Sequence, residues 1–322
     1  MENYFIKRKF IKNADGAFKY GFFEALRNKH KFPNFFLPVN DWDHGWTYFN
    51  SDIMTSYKVK LSYKLGFIVP KENLKNNLKK YTNNTVISDS LPFYYFYKNV
   101  LGNYINVENN INNQNNLLVF PAKIPFSGQT QSGIKLQKTY FDYIKSLEKS
   151  FEKIFICIPY QDSFNDEYTK ILKKINLNYF TGASPSDTNS YIRLLQIFSL
   201  AKYFTTNILG SGLIYAGILN KKISISGPIY VPSRKLDDLY IPKGFEYSIN
   251  QLAEEYERIE SIEFIKNNFS NLILSDPILA KEHYDWAFNE IGGKHFNSTE
   301  KACINLGLNY KNQFKKYFSS LI

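Results

Sequence analysis

Residues 205–217, Thr205-Thr206-Asn207-Ile208-Leu209-Gly210-Ser211-Gly212-Leu213-Ile214-Tyr215-Ala216-Gly217, place small polar side chains and a Gly-Ser-Gly turn ahead of an apolar helical run. The first N–H groups of a helix have no intrahelical acceptor and carry partial positive charge. Glycine lets an anion approach that backbone closely, and a serine hydroxyl adds a donor. Gly210, Ser211 and Gly212, with Thr206 at the strand end before them, therefore suit the binding of a phosphate or diphosphate. An ordinary strand-to-helix turn, with glycine for tight packing, is the alternative.

A second stretch, Asp41-Trp42-Asp43-His44-Gly45-Trp46, gathers two Trp, two Asp, a His and a Gly. Indole faces stack on sugar rings, and carboxylates bind hydroxyls. A His beside a carboxylate can act as a general base toward an acceptor hydroxyl. His44 is the first candidate for that base and Asp43 or Asp41 the second, with Trp42 and Trp46 as acceptor contacts. The plainer alternative is a structural His in an aromatic turn.

Three loops add polar candidates. In Phe120–Thr130, Lys123 could offset phosphate charge, and Ser127, Gln129 and Thr130 could hydrogen-bond a sugar; a proline-stiffened loop is the alternative. Asp162 follows the apolar run 154–158. Ser186 and Asp187 precede a helical pattern, where Ser and Asp also serve as N-caps. His30, His283 and His295 lie in charged or polar surroundings that suit surface or capping roles. Two Cys with four scattered His lack the spacing of a structural zinc site. No metal is expected.

These residues need elements to position them. The short apolar runs 117–120, 154–158, 178–181, 205–206 and 222–226 predict buried strands. Helical spacing over 134–151, 167–175, 191–204 and 212–219 alternates with them. Such alternation implies right-handed crossovers and a doubly wound parallel sheet. Before residue 106 the pattern is weaker, with helices expected over 16–29 and 57–65 and strands over 34–39 and 85–88. Beyond 227, helices are expected over 251–269, 277–291 and 298–306. Between the halves, seven of the eleven residues 106–116 are Asn, a linker composition. The expected organisation is a smaller α/β domain over 1–108, a doubly wound α/β domain over 117–270 and C-terminal helices over 271–322.

The span SYIRLLQIFSLAKYFTTNILGSGLIYAGILNKKISISGP resembles the nucleotide-binding half of GT-B glycosyltransferases: an amphipathic helix, a short strand, a small-residue turn, a helix and a closing strand. The resemblance runs from Leu117 to about Pro228, and the His44-Gly45-Trp46 segment is similar to one in bacterial polysaccharide-biosynthesis proteins. It implies two Rossmann-like domains facing across a cleft, with the donor on the second and the acceptor on the first. It puts the loop holding Ser186 and Asp187 near the donor base, and Lys123, Ser127, Gln129, Thr130 and Asp162 at the cleft. The implied activity is transfer of a sugar from a nucleotide-sugar donor to a bacterial lipopolysaccharide or capsule acceptor, without metal. Many retaining members carry a Glu near the start of the last helix. The run Leu213–Asn220 has no acid, which favours inversion. A sugar-nucleotide epimerase of the same fold and a non-catalytic glycan-assembly partner are the rival readings.

Length and composition agree with this class. The 322 residues suggest two domains. Neither a signal-peptide apolar core nor a run of about 18 apolar residues is present, so a cytoplasmic protein is expected. The formal net charge is +11, spread along the chain. A generally basic protein and peripheral attachment to anionic lipids of the inner membrane both fit. No nucleic-acid signature is found. The expected partners are the nucleotide-sugar, as co-substrate with no other cofactor, and a glycan or glycolipid acceptor.

Overall fold

The computed structural model describes residues 5–10, 16–31, 40–61, 66–99, 115–123, 131–231 and 240–308. Residues 106–114 of the Asn-rich boundary, the strand expected over 34–39, and Ser127, Gln129 and Thr130 lie outside them, while Asn116, expected in the linker, opens the strand Asn116–Phe120.

The first unit is a three-stranded parallel sheet, β1 (Asn40–Trp42), β2 (Gly66–Val69) and β3 (Thr85–Ser88), in the order β1-β2-β3. Asp41 is in register with Phe67, and Phe67 with Val86. Helices α1 (Phe22–His30), α2 (Asp52–Leu61), α3 (Glu72–Leu78) and α4 (Pro92–Asn99) belong to this half. The helix expected from residue 16 begins as a 3-10 turn, Gly16–Gly21, and α1 starts only after it.

The second unit contains β4 (Asn116–Phe120), α5 (Gln131–Ser146), β5 (Lys153–Ile158), α6 (Asp166–Ile175), β6 (Asn178–Thr181), α7 (Ser190–Phe198), β7 (Tyr203–Thr206), α8 (Ser211–Ile218) and β8 (Lys222–Ser226). Its sheet runs β6-β5-β4-β7-β8, all parallel. Counted from β4, this is the doubly wound order 3-2-1-4-5, which reverses direction between β4 and β7. Alternate side chains go to opposite faces. Leu118, Phe204 and Ile223 join the core under α7 and α8, whereas Leu117, Val119 and Ile156 join the core under α5 and α6.

After β8 come α9 (Ile249–Glu260), α10 (Ile262–Phe269), β9 (Ile273–Leu274), β10 (Lys281–Glu282), α11 (Tyr284–Glu290) and α12 (Thr299–Leu306). β9 and β10 share the outer edge of β8, β9 parallel and β10 antiparallel. The single helix expected over 251–269 is two helices. Ser261 is extended and its hydroxyl accepts the Phe264 N–H, which caps a new helix. The chain then crosses back. α11 packs on α8, while α12 packs on β1. The Asn40 amide donates to the Asn305 carbonyl at 2.6 Å, and the Asn305 amide donates to buried Asp89 at 2.6 Å. The C-terminal helices thus tie the two units together.

The N-terminal segment crosses the other way. Phe5 packs on Phe180 at 4.9 Å, and Ile6 N–H donates to Gln196 Oε1 at 2.8 Å. Lys9 N–H donates to Asp187 Oδ1 at 2.9 Å, and Phe10 bridges to Asp187. Residues 5–10 therefore form a strap on the second unit. Among the described residues no helix is long and apolar enough to cross a membrane.

Candidate functional site

In a doubly wound sheet, ligands bind outside the carboxyl ends of the strands where the order reverses. Here that point lies between β4 and β7, and a cavity of about 270 Å³ opens beside it. Phe120 and Pro121 leave β4 at its wall, Ile158 and Pro159 leave β5, and Gly182 and Ala183 leave β6. Ser211 and Gly212, the first two residues of α8, complete the wall of the second unit. The opposing wall is His44 and Gly45, from the loop that leaves β1, with Tyr20 beside them.

The two walls touch. Trp46 N–H donates to Ser211 Oγ at 2.8 Å, and a Cβ on Gly45 would lie 3.0 Å from that oxygen. Glycine at 45 permits this close approach. The His44 carbonyl accepts the Tyr215 hydroxyl at 2.8 Å and the Tyr191 hydroxyl at 3.3 Å. The backbone of residues 44–46 is thus held by side chains of α7 and α8. Burial pushes the Tyr191 and Tyr215 phenols above their ordinary range, so both act as neutral donors.

At α8, Gly210 is the N-cap residue, extended, with no side-chain cap. A Cβ there would meet nothing within 4 Å, so the approach is open. The first hydrogen bond inside the turn is Leu213 N–H to Gly210 O at 3.1 Å. The preceding amides, of Ser211 and Gly212, stand at the cavity without an intrahelical acceptor. Gly212 has a packing reason as well: a Cβ would sit 3.0 Å from the Phe204 ring and 3.2 Å from Phe120. Gly212 thus has the packing role that the plainer reading of the turn gives it.

Of the remaining residues expected at the site, most serve the framework. Trp42 is 0% exposed, its indole N–H on the Ser90 carbonyl at 3.0 Å and its ring edge-on to Phe22. Trp46 is 7% exposed, edge-on to Trp286, with its N–H on Glu290 at 2.6 Å. Neither indole offers a face to an acceptor, because β1 turns Trp42 inward and Trp46 is enclosed by aromatic rings. Asp43 pairs with Lys58 and borders a separate small cavity under α2. Asp41 lies on β1, and neither carboxylate lines the main cavity.

Asp187 is 0% exposed and is occupied by the strap: it accepts Lys9 N–H, Asn189 N–H at 3.0 Å, and faces Arg8 at 3.5 Å. Its carboxylate therefore serves the strap and not a donor, contrary to the expectation from the sequence. Ser186 is half-buried beside it and is not on the cavity wall. Thr206 is 4% exposed, and its hydroxyl closes a turn onto Ile208. Asp162 is 6% exposed in the 3-10 turn Gln161–Phe164, away from the wall. Lys123 is exposed on the loop after β4 and does not line the cavity.

Three wall tyrosines, Tyr20, Tyr191 and Tyr215, escaped the sequence reading. Aromatic residues at helical spacing look like core, and two of these three are core except for their hydroxyls.

No protein-family model matches the chain, and the curated proteins contain no match to it. Among solved structures it is similar to MnaA of S. aureus, in a co-structure with UDP. The sequences are 11% identical, the match covers 83% of this chain and 75% of that one, and the TM-score is 0.39. A score of that size does not establish a shared fold.

Proposed function

We propose that the protein is a nucleotide-sugar-dependent glycosyltransferase that binds its donor in the cavity between the two sheets. The observation that carries this reading is the meeting of three features at one place. The strand order reverses there, α8 begins there with amides that have no acceptor among the described residues, and His44 lines the opposite wall from the other unit. A diphosphate suits the amide end, since partial positive charge and open N–H groups stabilise an anion.

The chemistry would be displacement at the anomeric carbon. The acceptor oxygen forms a bond to that carbon as the bond from carbon to the phosphate oxygen breaks. His44 takes the acceptor proton, and the amides of Ser211 and Gly212 stabilise the charge that develops on the departing phosphate. Inversion follows from a single displacement. The expected acceptor is a bacterial surface glycan, lipopolysaccharide or capsule. The reaction needs no metal in this scheme. The basic chain can sit against anionic lipid while it works.

A panel of UDP-, GDP- and CMP-sugars tests the proposal by release of free nucleotide, with and without oligosaccharide acceptors. Transfer or slow donor hydrolysis with one class is the expected result. Epimerisation of the donor without acceptor would make the protein an epimerase instead, and binding without turnover would make it a non-catalytic partner.

A further inference from the structure

We propose that Tyr20 is a sugar-binding residue, whose hydroxyl donates to a ring oxygen or hydroxyl of the hexose carried by the donor. The inference rests on the reading of the cavity as a nucleotide-sugar site and assigns the part of the ligand that faces the first unit.

Tyr20 stands in an unusual backbone conformation. Its φ is +60° and its ψ 12°, in the left-handed region that a bulky L-residue seldom occupies. The neighbours impose it. Tyr20 N–H donates to the Pro185 carbonyl at 2.9 Å. Gly21 follows at φ +82°, where a Cβ would run into the Thr188 carbonyl. Two consecutive left-handed residues, clamped onto the loop after β6, turn the chain sharply before α1. Residues held in this way in sparsely populated backbone conformations cluster at ligand sites, where the surrounding fold over-determines them.

The turn delivers the ring to the cavity. It lies tilted against the His44 imidazole at 5.6 Å and against Tyr191 at 5.3 Å. Tyr191 and Tyr215 spend their hydroxyls on the His44 carbonyl, but the Tyr20 hydroxyl makes no hydrogen bond with the described residues. Burial raises its pKa, which keeps it a neutral donor. Tyr20 is half-buried on the cavity wall, so a bound ligand can supply the acceptor that its hydroxyl lacks in the protein. The anionic part of the ligand belongs at α8, on the other wall. What remains for Tyr20 is a neutral, oxygen-rich group within reach of its hydroxyl, and that is the chemistry of a hexose.

Tyr20→Phe isolates the hydroxyl, since it keeps the ring, its packing and the backbone. Calorimetric titrations of wild type and variant with UDP, GDP and CMP, and with UDP-glucose, GDP-mannose and CMP-N-acetylneuraminate, supply the test. The expected result is a loss of about tenfold in affinity for the nucleotide-sugar that wild type binds. Affinity for its parent nucleotide and the melting temperature stay unchanged. Equal affinity of wild type and variant for that nucleotide-sugar would overturn the inference and leave the cavity reading intact. An equal loss for nucleotide and nucleotide-sugar would also overturn it, by placing Tyr20 at the nucleotide. Failure of wild type to bind any of the six probes would remove the cavity reading, and the inference with it.

Discussion

Ser211 Oγ accepts the backbone N–H of Trp46 at 2.8 Å, so the turn that opens α8 on the second sheet is bonded to the loop that leaves β1 on the first. One residue therefore has two duties. Its hydroxyl holds the His44 loop in place, and its backbone N–H belongs to the amide end of the cavity. Replacing it should separate these duties. Ser211→Ala leaves the half-buried Trp46 N–H without its acceptor and should cost about 1 kcal/mol of stability. Ser211→Asp can still accept that N–H, yet it brings negative charge to the site of an anion. Nucleotide affinity should fall more than tenfold in the aspartate variant and much less in the alanine variant, read by titration calorimetry and thermal melting. Equal nucleotide binding by both would show that the turn is structural only.

His44 is the one acid-base candidate from the sequence that reaches the cavity. His44→Ala should lower kcat by about 10²–10⁴-fold while nucleotide affinity stays within a few fold. Its backbone carbonyl, which anchors Tyr191 and Tyr215, survives the substitution, so stability should change little. Undiminished turnover would remove it from the mechanism.

Asp187 illustrates a carboxylate committed to architecture. Asp187→Ala takes the acceptor from Lys9 N–H and Asn189 N–H and the partner from Arg8. A buried, multiply bonded carboxylate of this kind should cost about 2–4 kcal/mol when removed. Urea unfolding measures the loss. Limited proteolysis should cut first near the freed strap. An unchanged urea midpoint would show that the strap contributes nothing.

Lys221 precedes β8 at 3% exposure, with its amine among the buried atoms that have no hydrogen-bond partner. Desolvation lowers its pKa from an ordinary 10.5 to about 8. Below about pH 8 the amine is charged in both states, and folding must strip water from it. Between about 8 and 10.5 the unfolded chain holds the proton more tightly, so stability should rise with pH across that window. The whole rise is at most roughly 3 kcal/mol. Lys221→Met should flatten the curve and raise stability near neutral pH by a similar amount. Denaturant unfolding at several pH values reads both effects, and parallel pH curves for wild type and variant would exclude this role for the lysine.

The elements legible in the sequence were those whose pattern had one reading. The runs 178–181 and 222–226 are bounded by polar residues, and β6 and β8 occupy the expected spans. Helix α7 ends at Phe198, although apolar spacing continues to Phe204, because Leu200, Ala201 and Tyr203 satisfy a helical period and a strand period equally well. On the cavity wall, Ser211, Gly212 and His44 are residues that the sequence singles out, the turn because a Gly-Ser-Gly run ahead of an apolar helical pattern marks a helix start. The density of Trp and Asp around His44 pointed the wrong way. Strand alternation decides which side chains face inward, and it sends Trp42 to the core. Tyr20 was hidden for a different reason: its importance lies in a backbone angle set by Pro185 and Thr188, residues far along the chain.

A crystal structure with the tightest-binding nucleoside diphosphate bears most directly on the whole account. The phosphates should lie between residues 44–45 and the start of α8, accepting hydrogen bonds from the Ser211 and Gly212 amides at about 3 Å. A nucleotide bound elsewhere, with those amides facing only water, would contradict it.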